Sequence, residues 1–143
     1  MSSIATLMPE ALKALIAFSA AARDEGGPEA TAYLVRLRAS QINGCSVCTE
    51  MHARELQRAG DPVERVFAVA AWRESSHFTP AERAALALTE AATRLADRPD
   101  AVPDDVWDEA ARHYGERALA ALIVEIATIN AFNRLSVPIR QPA

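Results

Sequence analysis

Apolar residues recur along this chain at three- and four-residue steps, and no stretch carries credible strand alternation. Pro9 stands at a favoured first-turn position, with Leu12, Leu15, Ile16 and Ser19 following at helical spacing. Gly26-Gly27-Pro28 ends that helix and opens the next. The second helix carries Leu34, Val35 and Leu37 and stops near Asn43-Gly44. A third starts at or just after Cys45 and runs to Ala59, with Gly60 as its stop. Asp61-Pro62 caps a short fourth helix through Val66, Phe67 and Ala70. Trp72 to Phe78 reads as a loop. Thr79-Pro80-Ala81-Glu82 is then a capping box with proline at the first helical position, and Ala85, Leu88, Ala92 and Leu95 follow on one face. After a second loop, Asp97 to Val102, Pro103-Asp104-Asp105 starts a helix reaching about His113. Gly115 separates it from a last helix that ends before Pro138. Leu119, Leu122, Ile126, Ile129 and Leu135 make that last helix apolar on more than one side. Such a helix is buried in a core or between subunits, and in so short a chain a subunit interface is expected.

At 143 residues the chain is expected to form a single domain, 1–143, of all-α class with about six or seven helices. Half the residues are hydrophobic and only five are glycine, which favours an ordered helical fold. The net charge of -4 leaves no basic footprint for nucleic acid. The apolar stretch from Leu12 to Ala22 lacks the basic start and clean core of a secretory signal, since Lys13 interrupts it; an amphipathic first helix fits better. No run is read as long enough to span a membrane, so a cytoplasmic protein without a membrane partner is expected.

The chemistry concentrates in Gly44-Cys45-Ser46-Val47-Cys48-Thr49-Glu50-Met51-His52, which holds the only two cysteines of the chain. In a reducing compartment such a pair is catalytic or metal-binding rather than a structural staple. On a helix, Cys48, His52, Leu56 and Ala59 share one stripe, so His52 sits one turn from Cys48. Cys45 falls in the first turn, where free N–H groups and the helix dipole favour a thiolate, and solvent access is expected there. Spacing alone does not say which cysteine attacks. Two rival readings are core packing by two small residues, and zinc held by Cys45, Cys48 and His52 with a fourth ligand from Glu50, His77 or His113. A haem attachment motif needs histidine directly after the second cysteine, where Thr49 stands. No cofactor is expected.

The segment from Leu34 to Cys45, followed by Cys48 and Glu50-Met51-His52, closely resembles the core of the AhpD-like alkylhydroperoxidase family, part of the carboxymuconolactone decarboxylase superfamily. The resemblance continues through Ala71-Trp72-Arg73-Glu74, the helix from Thr79 to Leu95, and Ile129-Asn130-Ala131-Phe132-Asn133-Arg134-Leu135, covering about 30–137. It implies an all-helical homo-oligomer, a trimer or hexamer, acting as a thiol-dependent peroxidase. By resemblance, Cys48 attacks the peroxide, Cys45 donates a proton and then condenses into the disulfide, His52 serves the proton relay, and an external thiol reduces the disulfide. The family's relay often includes a glutamate twelve residues before the first cysteine; here that position is Tyr33, a poor base at neutral pH. Glu50 and Glu74 are the alternative acids to orient His52, with Glu50 expected to point away from the Cys48 stripe, and His77 is a loop residue able to approach the site. Two other functions stay open: decarboxylation of a carboxymuconolactone-like acid, which needs no dithiol, and a redox-sensing oligomer with little turnover.

Overall fold

A computed structural model describes residues 3–24 and 26–141. Among them every regular element is helical: α1 (Ile4–Leu7), α2 (Pro9–Asp24), α3 (Glu29–Asn43), α4 (Ser46–Arg58), α5 (Val63–Ala68), α6 (Pro80–Thr93), α7 (Asp104–His113) and α8 (Glu116–Ser136). Short 3-10 turns follow α5 at Val69–Ala71 and α6 at Leu95–Asp97. The eighth helix, beyond the six or seven expected, is α1: a single turn whose N–H of Thr6 is capped by the Ser3 hydroxyl. It is too short to leave a periodic signal.

The punctuation read from the sequence explains the boundaries. Thr79 Oγ1 accepts from the Glu82 N–H at 3.3 Å, while Glu82 Oε2 accepts from the Thr79 N–H at 2.8 Å, closing both halves of the capping box. Gly44 ends α3 in the left-handed region at φ 67°, and the Cys45 N–H returns to the Ser40 carbonyl at 3.0 Å. A side chain at Gly44 would be strained there. The reversal makes Cys45 the N-cap residue of α4 and fixes where the dithiol lies relative to α3.

α3 is the central helix. Leu34 and Leu37 face α4, α5 and the loop beyond, packing with Leu56, Val69, Trp72 and Phe78. Val35 faces the other way, into a cluster with Ala85, Leu88, Tyr114, Leu122 and Ile126 from α6, α7 and α8. With both sides covered by apolar neighbours, polar residues of α3 turned inward must find internal partners. They find them on α8. Arg36 donates to Glu125 from Nε at 2.9 Å and Nη2 at 2.7 Å, and the Ser19 hydroxyl of α2 donates to the same carboxylate at 3.3 Å. Further along, Asn43 donates to Asn130 Oδ1 at 3.0 Å and Asn133 Oδ1 at 2.8 Å, and Asn133 donates to Ser40 Oγ at 3.2 Å.

The expectation that no stretch is long enough to span a membrane needs correction. α8 has 21 residues and a mean hydropathy of 1.4 over its most apolar window, enough by length and composition. Its place in the fold accounts for that composition: it packs against α2, α3 and α6 and carries a buried, paired glutamate. Leu119, Leu122, Ile126 and Ile129 of α8 are buried within the chain, while Ile123 remains 42% exposed.

Breaking one half of the Arg36–Glu125 pair leaves an unpaired buried charge. Arg36→Met is expected to lower unfolding free energy by about 3–5 kcal/mol. Arg36→Met/Glu125→Leu, which removes both charges, should recover most of that loss, as read from urea unfolding midpoints at constant m-value.

Candidate functional site

Cys45 and Cys48 are joined as a disulfide, with Cα atoms 5.4 Å apart across the first turn of α4. The helix explains the fit: residues three apart on one turn lie within the span a disulfide bridges. Both cysteines are buried, at 2% and 4% exposure. Cys45 was expected to be the solvent-facing member. The turn after α8 packs over it, and Ser136, Val137 and Arg140 line a small cavity against it.

His52 lies one turn beyond Cys48 on the same face, also buried. Its Nδ1 is 2.7 Å from Glu55 Oε2. A carboxylate there accepts from Nδ1–H, which leaves Nε2 as the lone-pair nitrogen of the neutral ring. Nε2 is buried and is the one such side-chain atom without a hydrogen-bond partner among the described residues. Burial lowers the His52 pKa below its ordinary value; Glu55 opposes the shift without cancelling it. The ring is therefore neutral at pH 7, with a basic nitrogen held in place from behind.

Cys48 and His52 line a cavity of about 340 Å³ between α4, α2 and α8. Ile16, Met51, Ile129, Phe132 and Leu135 give it apolar walls. Its polar end is built from Ser19, Arg36 and Glu125, the same buried network that joins α2, α3 and α8. A half-open cavity of this size accommodates a compact organic molecule with one polar terminus. Neither the network nor Glu55 was singled out from the sequence. Two signals were available: Glu125 is the one charge within the apolar run of α8, and His52 and Glu55 stand at i, i+3.

The other predicted residues fall elsewhere. Tyr33 donates from its hydroxyl to Glu29 Oε1 at 3.1 Å and lines a shallow groove with Glu55 and Arg58. Burial, with Glu29 reinforcing it, raises the phenol pKa, so the group stays protonated at neutral pH. Glu50 points away from the cavity and pairs with Arg54. Glu74 is exposed in the turn after Val69–Ala71. His77 is exposed too, its carbonyl accepting from Arg65 and its N–H donating to Ser75 Oγ at 3.2 Å. His113 contacts Glu109 at the end of α7. Trp72 and Phe78 are core residues, while Trp107 is 42% exposed. Among the described residues, no three His, Cys, Asp or Glu side chains are grouped to share a metal ion.

The model of the carboxymuconolactone decarboxylase family matches residues 9–91. The uncharacterised protein YdfG of Bacillus subtilis is 30% identical over 131 residues, 92% of this chain and 88% of its own length. The uncharacterised YnjA of Escherichia coli is also 30% identical, over 77% of this chain, which spans 59% of that protein. Among solved structures, ATU0492 from Agrobacterium tumefaciens superposes with a TM-score of 0.92 at 33% identity, covering 99% of this chain and 95% of that one. It is a protein of unknown function for which an AhpD role in antioxidant defence has been suggested. A variant of the debrominase Bmp8 in complex with 2,3,4-tribromopyrrole gives a TM-score of 0.82 at 22% identity over 96% of this chain and 72% of that one, a likeness of fold alone.

The Glu55 contact is directly testable. Glu55 is the main influence raising the His52 pKa against burial, so Glu55→Ala should move the ring titration to lower pH, as followed by NMR of the ring protons. The same change frees the ring, so alkylation of Cys48 by iodoacetamide in the reduced protein should slow about tenfold or more at pH 7. An unmoved titration would show that the carboxylate does not act on the ring.

Proposed function

The chain belongs to the carboxymuconolactone decarboxylase family, and from that premise we propose that it is an AhpD-like, thiol-dependent peroxidase and disulfide oxidoreductase acting on organic or hydrogen peroxides. The observation that carries the reading is the Cys45–Cys48 disulfide, with Cys48 lining the same half-open cavity as His52, whose Nε2 is buried and unpartnered.

In the reduced protein, Cys48 gives its proton to His52 Nε2 and attacks the terminal oxygen of a hydroperoxide. The O–O bond breaks, Cys48 becomes a sulfenic acid, and the leaving alkoxide takes the proton back from His52. Cys45 then attacks the Cys48 sulfur. The disulfide forms and the sulfenic oxygen departs as water with the Cys45 proton. Two electrons have passed from the dithiol to the peroxide, and two equivalents of an external thiol return them. The apolar walls favour a carbon-bearing peroxide over hydrogen peroxide alone.

What supports the reading over decarboxylation is chemical: removal of carbon dioxide from a lactone acid has no use for a disulfide beside a basic imidazole. Assembly into a homo-oligomer, in a cytoplasmic setting that supplies thiols, is part of the proposal. Its support is apolar surface, with Phe67 75%, Ile16 51% and Phe18 49% exposed.

Mass spectrometry of Cys45→Ser after one equivalent of cumene hydroperoxide should find a sulfenate on Cys48, and the parent protein should return to the Cys45–Cys48 disulfide. Cys48→Ser should consume no peroxide, and His52→Gln should slow consumption by roughly 10²-fold. Peroxide consumption by Cys48→Ser at the parent rate would overturn the assignment. Retention of lactone-acid turnover by Cys45→Ser/Cys48→Ser would favour the decarboxylase.

A further inference from the structure

The two sulfurs of the disulfide face different spaces. Cys48 lines the 340 Å³ apolar cavity, and Cys45 does not. Cys45 lines a separate cavity of about 80 Å³, with Gly44 and Ser46 on one side and Val137 and Arg140 on the other. Ser136 and Gln141 border both spaces, so the end of α8 and the turn after it form the partition. We infer that the site has two entrances: the oxidant reaches Cys48 through the apolar cavity, and the reducing thiol reaches Cys45 through the small polar one.

The stereochemistry of exchange makes the approach to each sulfur distinct. A thiolate attacks a disulfide along the line of the S–S bond, from behind the sulfur it will join. The space behind Cys45 is therefore the side away from Cys48, which is where a thiol must enter to make Cys48 the leaving group. Attack there forms a bond between the incoming sulfur and Cys45 and breaks the Cys45–Cys48 bond. Cys48 departs with the electron pair as a thiolate, one turn from His52. A second thiolate attacks the outer sulfur of the adduct, releasing Cys45 as thiolate and a disulfide of the two reductant sulfurs. Two thiols are oxidised and one protein disulfide is reduced. The order regenerates the peroxide-attacking sulfur first.

The chemistry of the small cavity fits an anionic sulfur on a slim stem. Its volume admits a thiol and a methylene or two, not a branched group. Arg140 supplies a cation at its wall, and α4 begins there without a side-chain cap on its first N–H groups. No acidic residue stands in the first turn of α4 to repel a thiolate. The large cavity instead has mainly hydrophobic walls, and the Arg36 cation at its polar end is already paired with the Glu125 carboxylate, leaving Arg23 as the other charge on its lining.

The inference rests on the disulfide-exchange part of the proposed function and not on peroxide as the oxidant. The test begins with the oxidised protein and 2-mercaptoethanol, quenched with N-ethylmaleimide before completion. Fragment-ion mapping should place the mercaptoethanol adduct on Cys45 and the maleimide on Cys48. An adduct on Cys48 overturns the inference and leaves the peroxidase reading untouched. An adduct on Cys45 in a protein that ignores peroxide keeps the inference and overturns that reading. Val137→Trp fills the small cavity at an exposed position. It should slow disulfide reduction about tenfold or more, with oxidation of the dithiol by cumene hydroperoxide within about twofold of the parent. Equal slowing of both steps, or of neither, counts against separate entrances.

Discussion

The arrangement of this molecule depends on the polar seam between α3 and α8. A central helix with apolar neighbours on two sides has no solvent for its remaining polar groups, so each inward-facing one must meet a partner of fixed geometry. Arg36 meets Glu125, Ser40 meets Asn133, and Asn43 meets both Asn130 and Asn133. Apolar contacts alone tolerate sliding, because one methyl group replaces another at small cost. Paired side-chain amides and a forked guanidinium do not, since a slip of one residue would leave several buried groups unmet. The seam therefore sets the register of α3 and α8, two helices distant in sequence.

That register has a chemical consequence. α3 ends at Gly44, where the chain reverses, and the next residue is Cys45. Fixing α3 against α8 thus fixes the start of α4 against the end of α8. The partition between the two sulfur-facing spaces is built from those parts. The Arg36–Glu125 end of the same seam forms the polar end of the large cavity. Because the pair is close to neutral as a unit, it gives the cavity a polar anchor without the strong field that an isolated charge would impose on His52. Burial then remains the largest influence on the imidazole, and the ring stays neutral.

The helical architecture was legible because its punctuation is chemical. Proline, glycine and the Thr79–Glu82 box mark ends whose backbone groups need particular partners, and the described boundaries lie close to those marks. The placement of Cys48 and His52 on one stripe followed from helix periodicity, as did the outward direction of Glu50. What escaped was set by packing between elements distant in sequence. Cys45 at a helix start was expected at the surface, but it is buried, and residues of the turn after α8, some ninety positions on, line the space beside it. The cavity's polar end joins residues 19, 36 and 125, which no local pattern connects. The apolar character of α8 was read as core or subunit interface, and part of it, including Leu119, Leu122, Ile126 and Ile129, serves the core of its own chain. Glu55 is a different kind of omission. Its i, i+3 spacing from His52 puts the two on one face of α4, whereas the resemblance points to the position twelve residues before Cys45, where Tyr33 stands.

The position of Glu55 changes how the proposed relay is built. An acid on α3 would reach the imidazole across a helix–helix contact, and its distance would vary with every small shift of that contact. Here Cys48, His52 and Glu55 stand at i, i+4 and i+7 on α4 alone. Their spacing is a property of one helix, fixed by its own backbone hydrogen bonds rather than by tertiary packing. Tyr33 on α3 is left with a separate bond to Glu29, and the groove it shares with Glu55 lies outside the cavity. Disulfide formation and opening must move Cys45 and Cys48 toward and away from one another by changing side-chain torsions at the start of α4. A relay carried one to two turns further along the same helix keeps its alignment through that motion, because the acid, the imidazole and the Cys48 sulfur share one backbone frame.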